Sequence, residues 1–181
     1  MARPGLGRLF ATIAFAVGTM TAAAQLPASQ PQKASPDSSP LAPIAWMAGH
    51  WTAETKLPEL DKVAKIDARY TPQMDGRTMT IETSFDGKLV YEGMFAYDPA
   101  QKAIAFWYVT PEGESIRGTV ESQPDGDQVY DFQMTLTNGV DLHLRTMVHR
   151  LNADQYVWTL FTTNEGTKWD KLIEVTYHRA P

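Results

Sequence analysis

The chain has 181 residues, a formal net charge of −5 at pH 7, four histidines and no cysteine. A negative charge opposes binding to nucleic acid and to anionic lipid, and the absence of cysteine excludes disulfides, thiol catalysis and thiolate metal sites. The length is typical of a single domain once an export segment is set aside.

The N-terminus has the pattern of a signal peptide, which we assign to residues 1–24. Arg3 and Arg8 precede the apolar run 10–17, and small residues up to Ala24 form an A-x-A cleavage site. The apolar run is shorter than the roughly 20 residues of a membrane-spanning helix. We therefore expect cleavage after Ala24, no membrane span afterwards, and a periplasmic or secreted protein. An uncleaved membrane anchor is the alternative.

Residues 25–43 are predicted to be a disordered linker rich in proline and serine. This stretch contains almost no large apolar side chains, so it has little to bury on ordering. The folded domain is predicted over 44–181. It opens at 44–49 with a short helical turn that Gly49 ends as a C-cap.

From His50 onward, apolar residues recur at every second position, which is the pattern of half-buried antiparallel strands. Turn residues such as Asp86-Gly87 and Asn138-Gly139 separate these stretches and favour tight hairpins. The predicted strands are 50–57, 64–72, 77–85, 88–97, 102–110, 115–122, 128–137, 140–151, 155–164 and 168–179.

Short connections require each strand to pair antiparallel with its neighbours in sequence. A meander of this many strands would leave two unprotected edges, and closure into a barrel removes them. We predict an all-β fold, an up-and-down antiparallel β-barrel of about ten strands. An open sandwich of the same strands would show the same alternation.

The more apolar face of each strand is assigned to the interior, which becomes rich in aromatic side chains. The same alternation places Leu89 and Trp169 inward. A lumen of this kind holds side chains or one small ligand. The predicted ligand-binding residues are Tyr70, Tyr91, Phe95, Phe106, Tyr108, Tyr130, Phe132 and Trp158. The alternative is that these aromatic side chains fill the lumen as a packed core.

Several short motifs follow one another along the domain. They are Asp75-Gly76-Arg77, the segment 91–99, Trp107, Gly113, Gly118 and the segment 173–179. Gly49-His50-Trp51 is similar to the Gly-x-Trp opening of the first strand in calycin-type barrels. In this order and spacing the motifs resemble an uncharacterised bacterial family of lipocalin-like proteins, over 44–181. The resemblance implies a lipocalin-like barrel and supplies no reaction, substrate or catalytic residue.

A related barrel family, the nitrobindin-like haem proteins, ligates haem iron through a histidine of its last strand. When the ends of the last strands are aligned, that histidine falls near Leu172, whose side chain cannot ligate iron. His178 is predicted to face outward. We therefore predict no haem and no other cofactor.

The remaining titratable residues are predicted to lie on the outside of the barrel. His143 and His149 share one face of a strand but are roughly 20 Å apart, too far to share a metal ion. The same alternation places four glutamates on the outer face, where they form no converging pair: Glu82, Glu92, Glu121 and Glu174. An arginine would enter the lumen only if a β-bulge turned it inward, and it would then favour an acidic ligand. The arginines concerned are Arg69, Arg117 and Arg145.

Three functions remain open. We favour a binding protein that holds a small apolar or amphipathic ligand, with no nucleic-acid partner. The second hypothesis is an envelope interaction protein with a filled barrel, and the third is an enzyme acting inside the barrel. A void in the lumen favours binding, a buried carboxylate or histidine favours catalysis, and a packed lumen favours interaction. The sequence carries no nucleophile motif that would favour the enzyme.

Overall fold

The computed structural model describes residues 39–56, 63–163 and 168–181. Within this part of the chain the strands are β1 (Gly49–Lys56), β2 (Val63–Gln73), β3 (Thr78–Phe85), β4 (Lys88–Asp98), β5 (Ala103–Val109), β6 (Ser115–Ser122), β7 (Gln128–Thr135), β8 (Asp141–Arg150), β9 (Gln155–Thr162) and β10 (Asp170–Arg179). Two short 3₁₀ helices occupy Ala42–Met47 and Met74–Gly76. The strands match the predicted ones to within a few residues.

The strands form one closed antiparallel barrel in which sequence neighbours pair throughout. β1 also pairs with β10, through Trp51 with Arg179 and Thr52 with His178. This seam of two residue pairs closes the sheet into a barrel. The predicted up-and-down barrel is therefore confirmed, and the alternative of an open sandwich is wrong.

The helical turn predicted at 44–49 is a 3₁₀ helix that begins two residues earlier, at Ala42. Pro43 stands near its start, where the missing N–H of proline needs no partner. The C-cap residue is Ala48, and Gly49 already belongs to β1. The prediction of a glycine C-cap is therefore wrong.

The packed part of the chain also begins before residue 44. Leu41, inside the predicted linker 25–43, is only 3% exposed. Ser39 donates a hydrogen bond from its hydroxyl to the carbonyl oxygen of Gly76. The predicted signal peptide and residues 25–38 lie outside the described residues. Within the described ranges, no helix has the length and apolar character needed to cross a bilayer.

At two β-bulges, side chains that the alternation predicts to face inward face outward instead. In β4 the register shifts so that Leu89 pairs with the outward-facing Ser84. In β10 the shift lies between Lys171 and Ile173. An additional residue moves every side chain beyond it to the other face. The predictions for Leu89, which is 40% exposed, and for Trp169, which lies on the outer face, are therefore wrong.

One end of the barrel is sealed by the first 3₁₀ helix, and we call it the helix end. The opposite end, where each odd-numbered strand finishes and the next even-numbered strand begins, is called the mouth. The side chains of Ile44 and Met47 are fully buried. Gln128, at the start of β7, donates through Nε2 to the carbonyl oxygen of Pro43 at 2.6 Å, and the Tyr130 hydroxyl lies 3.2 Å from the Met47 sulfur. The helix therefore closes this end.

Arg179 attaches the helix to the last strand. Its guanidinium donates to the carbonyl oxygens of Ala48 at 2.9 Å and of Trp46 at 3.1 Å. The same group lies 4.2 Å from the ring centroid of Trp51, whose Nε1 donates to the carbonyl oxygen of Met47 at 2.7 Å. The seam of the barrel and the seal of its helix end therefore share the same residues.

Candidate ligand-binding site in the barrel lumen

Inward-facing side chains differ in exposure between the two ends of the barrel. Near the helix end, Trp51, Phe95 and Tyr156 are at most 1% exposed. Toward the mouth, several apolar inward-facing side chains keep partial exposure: Phe85, Tyr91, Tyr108, Phe132, Leu136, Leu142, Trp158, Leu160 and Ile173. A side chain on the inner face of a closed barrel is exposed either because space remains beside it in the lumen or because it stands at the rim. The lumen is therefore packed at the helix end and partly accessible near the mouth, where some inward-facing residues such as Ile116 and Met134 remain buried.

The structure divides the predicted ligand-binding residues into two groups, all on the inward face of their strands. The buried group consists of Tyr70, Phe95, Phe106 and Tyr130. The partly exposed group consists of Tyr91, Tyr108, Phe132 and Trp158. The first group forms a packed floor, and the second group lines the accessible space.

Edge-to-face and tilted ring contacts hold the floor and the wall together. The ring centroid of Phe95 lies 5.8 Å from that of Phe106, 5.6 Å from Tyr108 and 6.1 Å from Tyr130. Phe106 in turn lies 5.8 Å from Phe132. Such pairs contribute about 0.5 to 1.5 kcal/mol each beyond the burial of their area. These contacts pack the wall against the floor.

Tyrosine hydroxyls supply neutral polar groups in this apolar space. Burial raises the pKa of Tyr91 to about 12, with the nearby Glu114 and Glu112 carboxylates adding to the effect. Burial also raises the pKa of Tyr108 well above its usual value, and Tyr70 and Tyr130 add to it. Both hydroxyls stay protonated at physiological pH and can donate or accept a hydrogen bond.

Glu114 is a residue of the mouth that sequence reasoning missed. It is 7% exposed, and its Oε2 atom is buried with no hydrogen-bond partner among the described residues. The backbone N–H of Thr137 donates to the carboxylate, whereas burial and the neighbouring Glu112 raise the pKa of the Glu114 carboxyl above its usual value. The sequence did contain one signal of its inward orientation: Glu114 lies two residues before the inward-facing Ile116. A single carboxyl group can recognise a donor, but acid–base catalysis commonly uses a second converging group.

The predicted exterior residues are solvent-accessible. His143 bonds to Asp131 at 2.6 Å and His149 to Asp127 at 2.5 Å, so that each histidine has its own aspartate. Glu82, Glu92, Glu121, Glu174 and His178 are also exposed. No group of three or more potential metal-ligating side chains occurs in the ranges that the structure describes.

The three arginines considered for the lumen all lie outside it. Arg69 and Arg117 are exposed. Arg145 donates to Asp131 at 2.5 Å and lies 4.3 Å from the ring centroid of Trp169, on the outer face. The two bulges do not turn any of them inward, so none of these three arginines supplies a positive group to the accessible lumen.

A second concavity lies at the helix end, outside the lumen. It is an open groove of about 440 Å³ whose lining includes Pro43, Tyr97, Lys102 and Glu121. Tyr97 pairs with the buried Ile104 but is 39% exposed, because it stands at the rim. The groove is wide open to solvent.

Fold and site together define a class: a closed antiparallel barrel of ten strands, sealed at one end and carrying an accessible aromatic lumen at the other. No protein-family model matches the sequence, and curated proteins give no significant match. Among solved structures, the chain is similar to the crystal structure of Rv2717c from M. tuberculosis. The TM-score is 0.52 at 13% identity, over 78% of this chain and 98% of that chain. At this identity the similarity supports the fold alone.

Proposed function

We propose that this protein binds a small apolar or amphipathic molecule in the mouth half of its lumen. The observation that carries the proposal is the partial exposure of inward-facing aromatic and aliphatic side chains near the mouth, beside complete burial at the helix end. Small-molecule sites are typically concave and mostly apolar, with a few polar groups that orient the ligand. The lipocalin-like character of the barrel is part of the same proposal, because barrels of this size hold one small ligand.

The polar groups of the lumen are few, and their placement suits an amphipathic ligand. Tyr91 and Tyr108, which are partly exposed, supply neutral hydroxyls. Thr83 and Thr146 face inward and are buried. A ligand with an apolar body therefore contacts rings and aliphatic side chains over most of its length, and it meets hydrogen-bonding groups at a few points only.

Leu160→Gln is expected to weaken binding of an apolar ligand about tenfold. Leu160 faces the accessible lumen, and the introduced amide would be desolvated without a partner whenever an apolar molecule lies against it. The measurement is titration with the uncharged dye N-phenyl-1-naphthylamine, whose fluorescence rises in an apolar site. Native mass spectrometry of protein purified from its own source then identifies any ligand that co-purifies with it.

The matched control is Leu151→Gln, because Leu151 is 48% exposed outside the barrel. This variant is expected to bind the dye as the unaltered protein does. Failure of the unaltered protein to bind the dye, or an equal loss of affinity in both variants, would contradict the proposed function. Circular dichroism melting curves show whether each variant is folded at the temperature of the titration.

An interaction protein of the cell envelope is the second candidate, and one observation favours it. Met94 on β4 and Trp107 on β5 lie opposite each other on the outer face, 44% and 50% exposed. Exposed aromatic and methionine side chains are enriched where proteins meet. The patch is small, and it leaves the accessible lumen without a role, so we favour ligand binding.

We also propose that the protein is exported and loses its first 24 residues. The N-terminal arginines, the apolar run and the small residues before Gln25 support this proposal. The expected result is an intact mass that corresponds to a chain beginning at Gln25, measured on protein recovered from the periplasmic or secreted fraction of the native host. A full-length mass, or recovery only from the cytoplasm, would contradict export.

A further inference from the structure

Glu114 lies on the inner surface of the mouth, in the connection between β5 and β6. The alternation that places Ile116 inward also places Glu114 inward. The backbone N–H of Thr110 donates to the carbonyl oxygen of Glu114, and the N–H of Glu114 donates to the Thr110 hydroxyl at 3.2 Å. These hydrogen bonds extend the β5–β6 ladder by one residue pair. Both side chains therefore continue the inward row of their strands to the rim of the lumen.

The neighbours of Glu114 connect it to the accessible space. Its charge acts on Tyr91, one of the partly exposed residues that line the lumen. Tyr91 stands beside Phe85, with ring centroids 6.5 Å apart. The carboxylate is therefore close enough to the aromatic wall of the candidate site to act on Tyr91 electrostatically.

The hydrogen bonding of the Glu114 carboxylate is incomplete. The Thr137 backbone N–H bonds to the group, but the buried Oε2 atom has no partner, and Glu114 forms no ion pair with any described residue. Glu112, whose charge has the same sign, is close enough to act on the Glu114 carboxyl. A buried and unpaired carboxylate is unfavourable unless something supplies a positive charge or a hydrogen-bond donor.

We propose that Glu114 binds the cationic amine head group of an amphipathic ligand whose apolar body lies along the aromatic wall of the lumen. The inference rests on the proposed function and specifies the ligand class. An ammonium group donates three hydrogen bonds and carries the charge that Oε2 lacks. The net charge of −5 also favours a cation over an anion. A ligand of this class differs from the acidic ligand that an inward arginine would select.

The test compares three head groups on the same chain: decylammonium, decanoate and decan-1-ol at pH 7.5. Each competes with N-phenyl-1-naphthylamine for the unaltered protein, for Glu114→Gln and for Glu112→Gln. The last variant is the matched control, because it removes the same charge from an exposed neighbour. It therefore accounts for long-range electrostatics.

The unaltered protein is expected to bind decylammonium about tenfold more tightly than decanoate. Glu114→Gln is expected to lower the decylammonium affinity about tenfold while decan-1-ol stays within about twofold, and Glu112→Gln is expected to change decylammonium binding by less than about threefold. Equal binding of decylammonium and decanoate to the unaltered protein would overturn the inference, whatever the variants do. So would an equal effect of the two substitutions.

The same experiment separates the two proposals. If the dye and decan-1-ol bind but the head group makes no difference, the lumen is a ligand site and Glu114 does not select a cation. If neither the dye nor decan-1-ol binds, the proposed function fails, and the inference fails with it.

Discussion

Replacing Trp51 by alanine is expected to lower the free energy of unfolding by about 3 to 5 kcal/mol. The indole is 0% exposed, and its ring centroid lies 4.8 Å from that of Tyr156 and 6.1 Å from that of Trp46. The substitution leaves a cavity between the 3₁₀ helix and the seam, and it also removes the hydrogen bond to Met47 and the stacking surface of Arg179. Urea denaturation followed by circular dichroism measures the change.

Trp107→Ala is the matched control, since it removes the same side chain from the outer face of β5. Trp107 is 50% exposed, so its loss is expected to cost about 0.5 kcal/mol or less. If the two variants lost similar free energies of unfolding, the helix end would not be the packed anchor described above.

Gly118→Ala is expected to lower the free energy of unfolding by about 3 kcal/mol. A Cβ atom at residue 118 would lie 2.2 Å from the carbonyl oxygen of Asp131 and 2.8 Å from the Cα atom of Phe132. Both contacts are with the backbone of β7, so relief requires the two strands to separate. Because Phe106 of the floor and Phe132 of the wall flank this position in the ladder, both parts of the aromatic cluster would move as well.

The control for this substitution is Gly126→Ala, in the turn between β6 and β7. Apart from its chain neighbours, no heavy atom lies within 4 Å of a Cβ atom there, and the penalty comes from the positive φ of 93°. The expected loss is about 1 kcal/mol. Thermal and urea denaturation of both variants distinguish steric overlap from conformational strain: equal losses would mean that β6 and β7 adjust to the additional methyl group.

The alternation of side chains was sufficient to predict the barrel, because burial on one face requires a period of two along every strand. The alternation predicts the wrong face for side chains where the strand register changes. Leu89 and Trp169 were placed on the wrong face, since nothing in the residues near either bulge distinguishes an extra residue from a regular pair. The pairing of β1 with β10 can be predicted from the need to remove free edges. The register of that pairing cannot be predicted in this way.

The site was predictable in part. The aromatic residues were correctly placed inside, yet their division into a packed floor and an accessible wall depends on the 3₁₀ helix, which fills only one end. Glu114 was missed because it follows Glu112-Gly113, a sequence that indicates a turn. Its inward orientation becomes evident only when the Thr110–Glu114 pair is seen to extend the ladder.

The seam between β1 and β10 has a consequence for the order in which the chain folds. It contains two residue pairs, whereas β1 and β2 form eight. Arg179 and the carbonyl oxygen of Ala48, which it bonds, are 131 residues apart in sequence. The hairpins from β2 to β9 can form from local contacts, but closure must wait for the last strand and has a large cost in loop-closure entropy. Until then the sheet has two unpaired edges, so the newly made chain is most prone to aggregation just before Arg179 docks.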